Sequence, residues 1–140
     1  MARPLSMVIY DLDQFKRVND TYGHQVGDEV LIEVSRVVSA QIRKSDFLAR
    51  WGGEEFAILV PQSDADAAYR LAKSLRNAIE DHDFGHAGAV TCSFGIAEAL
   101  PGETAESLLA RADAALYRAK INGRNRVERA HAAPGLERVA

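Results

Sequence analysis

The chain of 140 residues predicts an α+β domain of ferredoxin-like kind, a mostly antiparallel sheet with helices packed against it. Two observations carry the prediction. Two short apolar runs, Asp46 to Trp51 and Phe56 to Val60, are joined through Gly52-Gly53, a β-hairpin signature because the tight turns that suit strand twist need positive φ. On either side of this hairpin lie strand-like runs separated by helical periodicity, giving the order β, α, α, β, β, α, β, α and a final short strand.

Leu5 to Tyr10 is almost continuously apolar, as a central strand must be, and runs into Asp11-Leu12-Asp13. Gln14 to Asp20 fits a short helix broken by Gly23 and Gly27. A longer helix places Val30, Leu31, Val34, Val37, Val38 and Ile42 at three-to-four spacing and ends near Arg43-Lys44, cations suited to a helix C-terminus. After the hairpin, Ser63-Asp64-Ala65-Asp66 reads as a capping box for a helix through Ala68, Leu71, Ala72, Leu75 and Ile79. Asp81 to His86 is a loop, and Val90 to Ala97 a strand in which Gly95 marks a bulge or a close approach. Thr104 caps a last helix with the face Leu108, Leu109, Ala112, Ala115, Leu116 and Ala119. Asn122-Gly123 stops it, and Asn125-Arg126-Val127 suffices only for an edge strand. Residues 1–130 make one domain, and 131–140 a mobile tail.

A formal net charge of -3 gives no electrostatic reason to expect nucleic-acid or anionic-membrane binding. The single cysteine, Cys92, sits in an apolar run, which excludes a disulfide framework and a cysteine metal site. With no apolar stretch long enough to span a bilayer and no signal-peptide pattern at Met1-Ala2-Arg3-Pro4, the cytoplasm is the default location.

The chemistry concentrates at the hairpin tip. Glu54 and Glu55 follow two residues without side chains, so a bulky polyphosphate can come close to the backbone. In the predicted topology the first strand neighbours the hairpin, and Asp11 faces Glu54. Two converging carboxylates repel unless a cation lies between them, and hard oxygen ligands beside a phosphate suit Mg²⁺. A pair of such ions serves in-line displacement at phosphorus.

Asp11 to Asp20, Gly23-His24, Gly27-Asp28 and Ala49 to Phe56 resemble the GGDEF family of diguanylate cyclases. So do Ser93-Phe94-Gly95, Ala112 to Tyr117, Ala119-Lys120 and Gly123-Arg124-Asn125, in the family's order and spacing from about Leu5 to Val127. The resemblance implies a palm-like, nucleotide-cyclase fold and condensation of two GTP into cyclic di-GMP with release of pyrophosphate. It implies Mg²⁺ or Mn²⁺, two ions per site, held by Asp11, Glu54 and the Leu12 carbonyl. Glu54 would also take the proton from the attacking 3′-hydroxyl, with Glu55 supporting the metal shell or the hairpin. Asn19 and Asp28 would read guanine and His24 would line the same pocket. Phe15 and Lys16 would bring main-chain N–H groups to the phosphates beside Gly52 and Gly53. Lys120 and Arg124 would carry charge to the triphosphate, pointing the same way if the helix continues through both. Trp51 is expected to pack.

Arg43 and Asp46 form the Arg-x-x-Asp sequence that many family members use to bind product as an inhibitor, and a homodimer is implied because one domain holds one GTP. The family usually carries a segment with an Asp-x-Leu-Thr-x-Leu-x-Asn-Arg pattern before the first strand; the expectation here is a domain lacking it. The competing expectation is a catalytically weak module that binds GTP or cyclic di-GMP and acts by association.

Overall fold

The fold, a computed structural model describing residues 3–131, is organised by the most apolar run in the chain. Leu5–Leu12 forms the central strand β1, buried from Val8 onward. It pairs antiparallel with β3 (Glu55–Pro61) on one side and β4 (Cys92–Glu98) on the other. Strand β2 (Phe47–Gly52) continues the sheet antiparallel beyond β3, and the short β5 (Val127–Arg129) lies parallel to β4 at the opposite edge. The order β2-β3-β1-β4-β5 is the mostly antiparallel α+β sheet that the sequence predicts.

Four helices cover it: α1 (Phe15–Tyr22), α2 (His24–Ser39), α3 (Ala65–Asp81) and α4 (Ala105–Ile121). Alternation along the strands divides the core. Val8, Tyr10, Ile58, Phe94 and Ile96 pack with Val34, Val38, Leu75 and Ile79 on one face. Ile9, Ala57 and Ala97 pack with Leu108, Ala112 and Leu116 of α4 on the other. Gly95 is the contact that lets α4 sit so low: a Cβ there would lie 2.3 Å from the Ala112 carbonyl oxygen. Close approach, not a bulge, is its role.

Several local expectations are corrected. Gly23 separates α1 from α2, but Gly27 lies inside α2, buried against Asn19. Helix α2 stops at Ser39 rather than at Arg43-Lys44, so those cations lie in the following turns. Asp64, not Ser63, caps α3 by accepting from the Ala67 N–H; Ser63 is buried, its carbonyl accepting from the Ser6 hydroxyl. Thr104 caps α4 through the Ser107 N–H, as expected. Trp51 is exposed on the edge strand rather than packed. Cys92 is fully buried. Among the described residues no helix is long and apolar enough to cross a membrane. Of the expected tail, residues 132–140 lie outside the described region.

Candidate active site

The register sets Asp11 in the last rows of β1, opposite Glu55 on β3 and Ser93 on β4. Glu55 is therefore the residue directly across the ladder, and Glu54 stands one place earlier in the turn, its carbonyl accepting from the Leu12 N–H at 3.4 Å. Gly53 turns the hairpin with φ 50°, a conformation other L-residues resist. Odd-numbered residues of β1 face α4, so Asp11 meets Lys120 from the last turn of that helix.

Asp11 is only 5% exposed. Its Oδ2 accepts from the Lys120 ammonium, while its Oδ1 is buried without a partner. Burial raises the Asp11 pKa, the Lys120 hydrogen bond and charge pull it back, and Glu54 and Asp13 push it up again. Glu55 is likewise raised, first by burial and then by Asp113 and Asp11. Burial pulls Lys120 down, but hydrogen bonding to Asp11 and three nearby carboxylates leave it raised.

Among the described residues no three His, Cys, Asp or Glu side chains converge as a ready metal cage. Magnesium does not need one. It takes one or two carboxylates, keeps waters, and fills its octahedron with substrate oxygens. The orphaned Asp11 oxygen beside Glu54, with Lys120 supplying the positive charge, fits such an ion.

Phe15 and Lys16 open α1, so their N–H groups have no intrahelical acceptor. Gln14 makes the entry in left-handed conformation, φ 55°. Asn19 of α1 lies against Gly27, where a Cβ would come within 1.8 Å of its Oδ1, and that oxygen is buried without a partner. Asp28 follows Gly27 and lines a cavity of about 690 Å³ between α2 and the hairpin, floored by Leu31, Leu48 and Phe56. Phe56 stacks on Tyr10, on the face of the sheet opposite Glu55, and Asp11, Glu54 and Glu55 do not line this cavity. His24 is exposed at the start of α2 and Asn19 does not line the cavity.

The chain is similar to known proteins in sequence and in fold. A sequence model of the family "Diguanylate cyclase, GGDEF domain" matches residues 1–126. Diguanylate cyclase DgcM of Escherichia coli is 42% identical over 127 residues, 91% of this chain and 31% of that protein. The chain thus spans about a third of that relative's length. The GGDEF domain of DgcB from Caulobacter crescentus, solved in complex with c-di-GMP, superposes with a TM-score of 0.86 at 39% identity, covering 90% of this chain and 77% of that one. The active GGEEF domain of a Vibrio cholerae diguanylate cyclase gives 0.88 at 34% identity, covering 94% and 85%. The chain belongs to the GGDEF family. Its fold is accordingly the palm-like one of GGDEF cyclase domains.

Within this GGDEF domain, Lys120 and Arg124 do not point together. Helix α4 ends at Ile121, and Arg124 sits beyond it in left-handed conformation, φ 62°. Arg124 lines a different cavity, while Lys120 is held on Asp11.

Arg43 and Asp46 are paired with each other. Asp46, its side chain 1% exposed, accepts from the Arg43 backbone N–H at 2.8 Å and from its Nη2 at 3.0 Å. That Nη2 also donates to the Pro61 carbonyl and the Ser63 hydroxyl. Pro61 pairs with Leu5, six residues along β1 from Asp11, so this cluster lies about 20 Å from the carboxylate row.

Asp13 is the residue that sequence reasoning missed. It accepts from the Thr91 hydroxyl at 2.7 Å, the Ser93 hydroxyl at 2.6 Å and the Asn125 N–H at 3.0 Å. With both oxygens committed it pins the end of β1 to β4 and to the turn after α4, holding Asp11 in place. Its partners stand about 80 and 110 positions downstream, and its own neighbourhood carried no sign of them.

Proposed function

We propose that the chain is a diguanylate cyclase domain, condensing two GTP into cyclic di-GMP and releasing two pyrophosphates. What carries the reading is one carboxylate: Asp11, buried, with one oxygen on Lys120 and the other unpartnered beside the Gly52-Gly53-Glu54 turn. A structural carboxylate buried this deeply is expected to satisfy both oxygens; this one leaves a lone pair for something that binds.

Asp11, Glu54 and the Leu12 carbonyl would hold Mg²⁺ or Mn²⁺, two ions per site, which when bound stabilise the charge that develops on the reacting phosphate. Asn19 and Asp28 offer an amide and a carboxylate to guanine's carbonyl and N–H edge, a pattern adenine does not match. His24 borders that base from the start of α2. The N–H groups of Phe15 and Lys16 donate to phosphate oxygens, and the bare Gly52 and Gly53 leave room for them. Glu54 takes the proton from the 3′-hydroxyl as its oxygen bonds the α-phosphorus of the second GTP and the bond to pyrophosphate breaks. Glu55, across from Asp11, supports the ligands from outside. Each domain binds one GTP, so two copies face each other, and association makes the second nucleotide effectively intramolecular.

The test is product analysis after incubation with GTP and Mg²⁺, expecting cyclic di-GMP and a rate that rises faster than linearly with protein concentration. Bound GTP without turnover would leave the binding-module reading instead.

Feedback belongs to Arg43 and Asp46. Product binding there would replace the Arg43–Asp46 contacts with contacts to phosphate and guanine. Lying far from the GTP site, it would act non-competitively by holding domains apart. Arg43→Ala should weaken cyclic di-GMP binding by roughly one to two decades, with the initial rate nearly unchanged. Calorimetric titration without GTP decides it; equal affinities remove the site.

A further inference from the structure

Beyond α4 the chain turns through Arg124 and Asn125, consecutive residues with φ of 62° and 48°. Left-handed conformation is disfavoured for any residue with a Cβ, and for arginine more than for asparagine. Two in succession persist where the surroundings over-determine them. Helix α3 supplies the hold. Arg76 and Glu80, four apart on that helix, pair with each other at 3.4 Å and both reach Asn125. Arg76 Nη1 donates to the Asn125 Oδ1 at 3.1 Å and to its main-chain carbonyl at 3.4 Å. The Asn125 Nδ2 donates to Glu80 Oε2 at 2.7 Å. An amide set between a guanidinium and a carboxylate fits one way round only, oxygen to the cation and nitrogen to the acid. From the other side the Asn125 N–H donates to Asp13 at 3.0 Å. All four polar atoms of Asn125 are thus bonded, three of them to residues 45 to 49 positions upstream. This grip is not what seats α3, whose buried face is Ala68, Ala72, Leu75 and Ile79.

We infer that Arg76 and Glu80 are positioning residues that act through Asn125 to hold the Arg124 turn in the shape that meets the triphosphate. That the anion at Arg124 is a triphosphate rests on the cyclase reading; the grip from α3 is what the geometry adds to it. Neither α3 residue lines the cavity that Arg124 and Asn125 border, so both act at one remove from the nucleotide. Asp13 extends the effect. Its Oδ2 takes the Asn125 N–H, so the turn that α3 holds is also tied to the end of β1 that carries Asp11. Release of Asn125 lets Arg124 leave its left-handed conformation, and its guanidinium moves with the backbone.

The experiment titrates the full chain by calorimetry with a non-hydrolysable GTP analogue and, separately, with GMP, which lacks the outer phosphates. Arg76→Ala should weaken binding of the analogue by roughly ten-fold, the loss expected for one charge-assisted contact, and leave GMP binding as in the parent. Arg76→Lys keeps the charge without the fork and should recover only part of the loss. Glu80→Ala, a second variant on the more exposed side of the ring, should weaken the analogue in the same sense by about three-fold. The sharpest arm uses Asn125→Gly, in which a left-handed turn needs no grip and the amide is gone. There Arg76→Ala should cost nothing further, since contacts in one network do not add. Equal affinity of Arg76→Ala and the parent for the analogue would overturn the inference. So would a loss shared equally by GMP, which would mean a general loosening of the fold. An undiminished Arg76→Ala loss in the Asn125→Gly background would also overturn it, because Arg76 would then act by charge and not through the turn. Arg76-dependent binding of the analogue in a chain that makes no cyclic di-GMP would remove the cyclase reading and leave the positioning role standing. In an active chain, Arg76→Ala should raise KM for GTP by a similar factor while kcat changes less.

Discussion

Helix α4 pairs a cation with a buried carboxylate towards each end of its inner face, and the two are satisfied to very different degrees. Towards its start, Arg111 meets Glu103 through two bonds of 2.7–2.8 Å, and both side chains are nearly inaccessible. Arg111 also donates to the carbonyls of Glu98 and His131, and Glu103 accepts from the Leu100 N–H and the Ser107 hydroxyl. Towards its end, Lys120 meets Asp11 through one bond, with the second oxygen orphaned and other carboxylates nearby. A buried carboxylate whose lone pairs are all used is costly to disturb, while one left with an orphaned oxygen already carries a desolvation cost and has a lone pair open to a ligand.

The largest expected effect lies at the incomplete pair. Asp11→Asn keeps the shape of the side chain but removes the charge that a metal needs. Cyclase activity should fall by about a thousand-fold or more, the scale seen when a charge-stabilising group is lost. The melting temperature should stay level or rise, because a buried, repelled carboxylate has been relieved. Chromatographic product assay and calorimetry on the same preparation check both halves. A marked drop in melting temperature would make Asp11 a structural residue and erase the contrast.

At the complete pair the order reverses. Glu103→Gln breaks a bidentate contact and leaves Arg111 buried against a neutral amide, which should lower stability by roughly 3 kcal/mol, or about 10 °C in melting temperature. Activity per folded molecule at low temperature should persist. The pH dependence sharpens this. The Arg111 hydrogen bonds hold Glu103 at about 2 against burial, with the Leu100 N–H and Ser107 hydroxyl adding to the pull. Because the folded value lies below the unfolded one, this stability is fully present above the ordinary glutamate range. It disappears as pH falls through that range towards 2. Chemical denaturation at pH 7 and pH 3 should show the parent chain losing more stability than Glu103→Gln; equal losses would mean the pair is not what acid breaks.

How much of this was legible beforehand follows the range of the interactions. Strand β1, the Gly52-Gly53 hairpin and the capped start of α4 are local patterns, and the sequence carries them in period and turn chemistry. Asp11 and Glu54 stood out because strand ends and glycine turns are visible one-dimensionally. Asp13 and the Arg111–Glu103 pair did not, since their meaning depends on which distant chain returns beside them. The end of α2 was misjudged for a related reason. Arg43 looked like a helix-end cation, but Asp46, Pro61 and Ser63 supply tertiary acceptors that hold it in the turn. Gly27 looked like a breaker because the Asn19 side chain that needs its bare surface lies on the preceding helix.

The smallest effect is the most direct test of what the orphaned oxygen awaits. A ligand that binds only the folded state stabilises it by RT ln(1 + [L]/Kd), about 1.4 kcal/mol at ten times Kd. Mg²⁺ at that level should therefore raise the melting temperature of the parent chain by roughly 4–5 °C. It should not do so in Asp11→Asn, and it should act on Glu103→Gln by the same increment as on the parent. An equal rise in Asp11→Asn would mean the ion only screens surface charge. Lys120→Met adds the complementary arm. With the ammonium gone, Asp11 loses the positive charge that now balances it, so the metal-free protein should melt lower than the parent. The gain on adding Mg²⁺ should then exceed the parent's, because the ion no longer shares Asp11 with Lys120. If that variant gained less than the parent, Lys120 would be assisting the ion rather than standing in for it. The ammonium would then have to be placed with the phosphates from the start.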